Sequence, residues 1–169
     1  MSDAPDHMTA RYIKQKGEGI VYGGIFIAAA LILFGIARAP VLVLAAAAAA
    51  LGVALYHWPF VAQDRRAFVI SPAGITLDRL GLIPWNAISD AEIVDRYVRT
   101  IRNADLQLTL RRPLDTAVEN AAVVGLFRRY MYRCWRTIDA QQIAIRLSTL
   151  DVKPELVEAA VREHLQRPL

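Results

Sequence analysis

The sequence predicts a membrane α-helical hairpin followed by an α+β domain, in which an antiparallel sheet or partly open barrel holds an inserted helix and a C-terminal capping helix. Three observations predict it. Hydrophobic residues make up 55% of the 169 positions and the mean hydropathy is +0.29, although 21% of residues are charged. The apolar excess falls between Gly19 and Phe60, where Arg38 is the one charged residue. Beyond Phe60 the chain changes to short alternating runs separated by turn residues, and it closes on an amphipathic stretch. This composition excludes a disordered chain, which is poor in aliphatics. The length leaves room for one core plus an appendage and excludes a two-domain enzyme. The expected organisation is a cytoplasmic tail over 1–18, a hairpin over 19–60 and a cytoplasmic domain over 61–169.

The first span, 19–37, runs nineteen residues without a charge. At 1.5 Å per residue it measures about 28 Å, close to the roughly 30 Å hydrocarbon thickness. The second, 41–58, runs from Val41 through the tract Ala45–Ala50 to Trp58. Pro40, lacking an amide donor, stops the first helix or starts the second. Two other readings compete. A signal peptide would explain the basic start and Ala37-Arg38-Ala39, but its apolar stretch is shorter and no second one follows directly. A soluble buried hairpin would need a far larger core to hide two helices without a polar face.

Charges near the membrane ends set the expected orientation. Arg11, Lys14, Lys16, Arg65 and Arg66 flank the spans, against Arg38 alone in the loop. Both termini are therefore expected in the cytoplasm, the protein being a multi-pass protein of the bacterial inner membrane. Tyr22, Tyr56, Trp58 and Phe60 fall at the inner interface, with Tyr56, Trp58, Phe60, Arg65 and Arg66 as its candidate contacts. Gly23, Gly24, Ala28 and Gly35 in one helix, and Ala45–Ala50, Gly52 and Ala54 in the other, allow close backbone approach. Gly24-xxx-Ala28 and Ala48-xxx-Gly52 suit either closure of the hairpin or dimerisation. No ionisable group interrupts either span, which argues against a transport path.

In the remaining domain, Ala67–Ile70 and Ile75–Asp78 flank the turn Ser71–Gly74 and predict a β-hairpin. Gly81–Trp85 begins another strand, with Pro84 marking an edge or bulge, and Ile88–Val94 continues it. Leu106–Leu110 places the even-numbered leucines on one face, and Gln142–Leu147 does the same with Ile143, Ile145 and Leu147. The final helix starts near Asp151, a candidate cap, with Pro154 and Glu155 in its first turn. Its apolar stripe is Leu156, Val157, Ala160, Val161, His164 and Leu165. A second helix is expected over Thr116–Arg136. At 100° per residue, Val123, Val124, Phe127, Met131, Cys134 and Trp135 share an arc of about 80° either side of Phe127. Arg128, Arg129, Arg133 and Arg136 fall opposite, making 118–136 an arginine-rich amphipathic helix.

Phe68–Ile88, with Gly74-Ile75 and Ile83-Pro84-Trp85, and Leu147–Leu165, with Leu150 and Pro154-Glu155-Leu156, resemble the STM3941 family of small bacterial membrane proteins. More broadly they resemble bacterial membrane proteins with a pleckstrin-homology-like (PH-like) domain. The resemblance covers most of residues 20–166. It implies a bent antiparallel sheet capped by the C-terminal helix and brings no reaction with it. Phosphoinositide binding is not implied, because the turn at Ser71–Gly74 carries no charge.

No pattern in the chain points to catalysis, a metal or a cofactor. His7, His57 and His164 are scattered, the single Cys134 lacks ligand spacing, and no nucleophile elbow, Walker loop or GxGxxG occurs. Cys134 reads as a packed thiol. Asp90, Glu92 and Asp95 read as a solvated sheet face, and Trp85 as core or edge packing. Residues 61–169 hold 16 basic against 13 acidic groups, a net of +3, with no nucleic-acid motif. The expected function is a membrane-anchored binding or scaffold module of the bacterial inner membrane. Its partners would be membrane lipids, a membrane protein or a second copy, and not nucleic acid. The alternative is an anionic-lipid-sensing or envelope-stress component, in which Arg128, Arg129, Arg133 and Arg136 meet lipid or an acidic partner; the solvated-face reading of the same arginines competes with both.

Overall fold

The computed structural model describes residues 7–35, 37, 39–98 and 101–166; the loop cation Arg38 lies outside the described residues. The architecture is α+β, a helix pair followed by two antiparallel sheets, and the chain divides into two compact units. One comprises residues 13–65 and 125–132; the other comprises the residues up to 12, 66–124 and those from 133 onward.

In the first unit, α1 spans Gln15–Gly35 and α2 spans Pro40–Tyr56, with Pro40 in its first turn and a 3₁₀ turn at Trp58–Phe60 after it. Both begin slightly earlier than the apolar pattern suggests. An ion pair between Lys14 and Glu18 at 3.4 Å supports the extra turn of α1. The helices run antiparallel along a seam of small residues. A Cβ on Gly24 would lie 2.9 Å from the Ala50 carbonyl, one on Gly35 2.8 Å from Val43 Cγ2, and one on Gly17 would strike the Phe60 ring. Ala28, Ala47 and Ala54 are buried at the same seam. Gly23 and Gly52 face open space, so only part of the small-residue pattern serves helix contact. Phe26, Leu33, Phe34, Val41 and Leu42 point outward and are exposed. Helix α1 is long and apolar enough to cross a membrane by length and composition; α2, at 17 residues, is shorter.

The second unit starts before the helices. Residues 8–12, expected in a tail, belong to the sheet: β1, Met8–Arg11, pairs antiparallel with β2, Arg66–Ser71, placing Thr9 opposite Val69 and Arg11 opposite Arg66. Ala10 and Tyr12 are buried, and Tyr12 bridges to Leu150. Four residues carry too short an alternation to announce a strand from sequence. The sheet continues through β3, Gly74–Leu77, and β4, Gly81–Pro84, in the order β1-β2-β3-β4. Pro84 thus ends an edge strand, where a missing donor costs least. Gly74 sits at φ +147°, and a Cβ there would collide with the Ile83 carbonyl, so only glycine fits the β2–β3 turn.

The run expected to continue from Gly81 through Val94 is broken. Trp85–Ala87 forms a 3₁₀ turn, and β5, Ile88–Val98, opens a second sheet. With β6, Ile101–Leu110, β7, Trp135–Thr137, and β8, Gln142–Arg146, it has the order β5-β6-β8-β7. Leu106, Leu108 and Leu110 are buried, as are Ile143, Ile145 and Leu147, while Asp90, Glu92 and Asp95 are exposed. The final helix α4, Pro154–Gln166, packs on β5 and β6 and buries Val157, Ala160, Val161 and His164. Leu156 faces solvent instead of joining that stripe. Asp151 does not cap α4; its carboxylate accepts the Arg11 amide at 2.7 Å, and its own amide donates to the Arg11 carbonyl.

The helix expected over Thr116–Arg136 does not form. Helical backbone is confined to α3, Leu114–Ala117, and a 3₁₀ turn at Arg128–Tyr130. Glu119 exchanges both backbone hydrogen bonds with Leu82, and Asn120 takes a left-handed φ of +51°. Trp135–Thr137 pairs with Ile143–Ile145. The stripe that suggested a helix is built of valines and aromatics, which suit extended backbone equally well. Partners elsewhere in the fold decide between them.

Candidate membrane-interface site

Tyr56, the last residue of α2, and Trp58, in the 3₁₀ turn after it, are about half exposed. Phe60 is not an interface contact: it is buried against Gly17 and the Tyr132 ring, centroids 4.9 Å apart. Arg65 is half-buried in the connection to β2, and Arg66 begins that strand, exposed.

The segment 125–132 is held at this same helix end. The Tyr132 amide donates to the Tyr56 carbonyl at 2.7 Å, and the two rings meet edge to face at 6.1 Å. Upstream of Tyr132 the chain makes one tight turn, closed by Arg129 N to Gly125 O at 3.2 Å and Tyr130 N to Phe127 O at 3.2 Å. Leu126, Phe127 and Tyr130 are left exposed beside Arg128 and Arg129.

The four arginines therefore do not form one face. Arg128 and Arg129 stand on the turn just described. Arg133 stacks on the Trp135 ring at 4.3 Å. Arg136, on β7, reaches the buried carboxylate of Asp105 at 3.5 Å, with Arg96 at 3.9 Å from the same oxygen. Arg133 and Arg136 thus make contacts within the sheet unit, whereas Arg128 and Arg129 stand exposed on the turn.

Cys134 and His164 are both buried. Burial pushes the Cys134 thiol up to about 12, so it stays protonated and unreactive at neutral pH. Desolvation also raises the neighbouring Tyr12 phenol, whose oxygen accepts the Cys134 amide at 3.1 Å. His164 stacks on Trp85 at 4.8 Å, and its Nδ1 donates to the Ala160 carbonyl at 2.9 Å. Its Nε2 is enclosed without a hydrogen-bond partner. Trp85 in turn donates to the Ser71 carbonyl at 2.9 Å, consistent with a packing role. Among the described residues no group of three His, Cys, Asp or Glu side chains is placed to hold a metal.

The sequence pattern does not single out Leu126 or Asp105, and it puts Phe127 on the packed face of a helix that does not form. A usable signal was present: no acidic residue occurs between Glu119 and Asp139, while four arginines do. Comparison with protein-family models, with curated proteins and with solved structures finds no match to this chain.

Proposed function

We propose that the protein is a bacterial inner-membrane protein in which a two-helix transmembrane hairpin anchors a PH-like domain, serving as a binding or scaffold module at the cytoplasmic face without catalysing a reaction. The observation that carries this reading is the pairing of β1 with β2. These strands flank the helix pair in sequence, yet Arg11 lies opposite Arg66, with three residues from β1 to α1 and five from Phe60 to β2. Short connections of about 3.3–3.6 Å per residue return both ends of the pair to one sheet. A single crossing would put β1 and β2 on opposite sides of a bilayer. Either both helices cross or neither does.

The outward face of the pair favours crossing. Its exposed large side chains along α1 are Ile, Phe and Leu with Tyr22, and little of that helix is buried. In water such a surface far exceeds the apolar patches that monomeric domains tolerate. Helix α2, at 17 residues, lies at the lower limit for a span. The bias of flanking cations favours both termini inside. Two antiparallel sheets followed by a C-terminal helix support the PH-like reading, although β1 is contributed from ahead of the hairpin and no long helix is inserted.

Reporter fusions test the reading. A cytoplasmic reporter at either terminus and a periplasmic one inserted at Ala37 should each be active. Periplasmic activity of a fusion after Leu169, or release of the full chain from membranes by alkaline carbonate, refutes it. Crosslinking in membranes before solubilisation, followed by purification, would identify a protein partner.

A further inference from the structure

We propose that the turn Gly125–Tyr130 is a third membrane contact, in which Leu126, Phe127 and Tyr130 enter the headgroup–acyl boundary of an anionic leaflet while Arg128 and Arg129 take lipid phosphates. The inference rests on the hairpin reading above and names the surface that the anchored protein presents to lipid.

Three observations carry it. The first is position: Tyr132, two residues past the turn, donates to Tyr56, the last residue of α2, and its ring packs against Phe60, so the turn emerges where that helix would leave the bilayer. The second is exposure: Leu126, Phe127 and Tyr130 are 69%, 69% and 72% exposed within a six-residue segment. A water-facing turn has no reason to gather a leucine and two aromatics. At an interface they are favourable, because apolar side chains sink about 5–10 Å into the boundary and tyrosine keeps its hydroxyl at headgroup level. The third is charge. Arg128 and Arg129 stand between these residues, and the stretch from Asn120 to Ile138 contains no acid to oppose a negative surface. Guanidinium groups match phosphate with paired donors.

The occupant is a leaflet and not a protein because the turn continues the membrane exit of α2. The two cannot be separated without breaking the Tyr132–Tyr56 bond.

The test uses the full chain reconstituted into vesicles, with an environment-sensitive fluorophore on Phe127→Cys in a Cys134→Ala background. A second protein carries the label on Leu33→Cys, on the outward face of α1. In phosphatidylglycerol vesicles the label at 127 should be quenched by lipids brominated near the headgroup, and the label at 33 by lipids brominated deep in the chain. Arg128→Ala/Arg129→Ala should shift the turn's in/out equilibrium toward water by about 25-fold, as two arginines at roughly fivefold each imply. Pure phosphatidylcholine should weaken quenching at 127 in the same sense. Quenching at 33 with none at 127 overturns the turn proposal and leaves the hairpin standing. No quenching at either site overturns the hairpin reading itself. A label at 127 that is shielded from water yet unquenched by any lipid means that protein covers the turn, and also overturns the proposal.

Discussion

The phenol oxygen of Tyr12 accepts the backbone amide of Cys134 across 122 positions of sequence, with both groups buried. This bond joins the residue after β1 to the residue before β7. Tyr12→Phe should leave the amide without a partner and cost about 1–3 kcal/mol, the penalty of an orphaned buried donor. Chemical denaturation of the full chain in detergent, followed by the accessibility of Cys134 to a thiol reagent, reads the change. An unaltered midpoint would contradict the bond.

Cys134 gives a pH prediction whose direction follows from burial. Its thiol is raised from 9.0 to about 12, so below pH 9 it is neutral in both folded and unfolded chains. Between about pH 9 and 12 the unfolded thiol ionises while the folded one does not. Stability should therefore fall with rising pH across that window, and Cys134→Ala should flatten part of the fall. At pH 8 alkylation of the native protein should be slow and should accelerate on unfolding; equal rates would refute the buried thiol.

Arg136 should behave as a structural residue and not as a lipid contact. Arg136→Ala leaves the carboxylate of Asp105 with Arg96 as its ion-pair partner among the described residues. The expected loss is about 1 kcal/mol, below that of a fully buried pair because Arg136 is half exposed. In an Asp105→Asn background the same substitution should cost less. Lipid quenching of a label at 127 should be unchanged by Arg136→Ala, and a loss equal to that of the Arg128/Arg129 variant would contradict the division of roles.

The helix seam can be tested by two adjacent glycines. Gly24→Val forces a side chain toward the Ala50 carbonyl and Ala54 Cβ, whereas Gly23→Val meets open space. Overpacking should cost the first about 2 kcal/mol, visible as earlier thermal unfolding in detergent, and leave the second near the parent. Equal losses would refute the seam.

Long periodic segments were legible before any coordinates. The hydropathy between Gly19 and Phe60 located α1 and α2 to within a few residues, and the alternation of Leu106, Leu108 and Leu110 identified the inner face of β6. Short or locally ambiguous segments were not. Met8–Arg11 has only four residues, and its pairing with β2 depends on a strand beyond the helices. The 116–136 segment satisfied a helical period while its hydrogen bonds went to Leu82, Tyr56 and β8, none of which is local. That misreading also grouped Arg133 and Arg136 with Arg128 and Arg129, when Trp135 and Asp105 had claimed the first two.

The position of β1 has a consequence for biosynthesis. This strand leaves the ribosome before α1, but its ladder partner Ile70 and its clasp at Leu150 and Asp151 arrive only after both helices have been made. Until then it waits as an unpaired strip. A chain whose helices settle wrongly keeps β1 away from β2 and leaves an open row of backbone donors and acceptors along β2, the kind of surface that invites aggregation. On the hairpin reading, completion of the first sheet thus depends on helix placement, since a chain that crosses only once holds β1 and β2 apart.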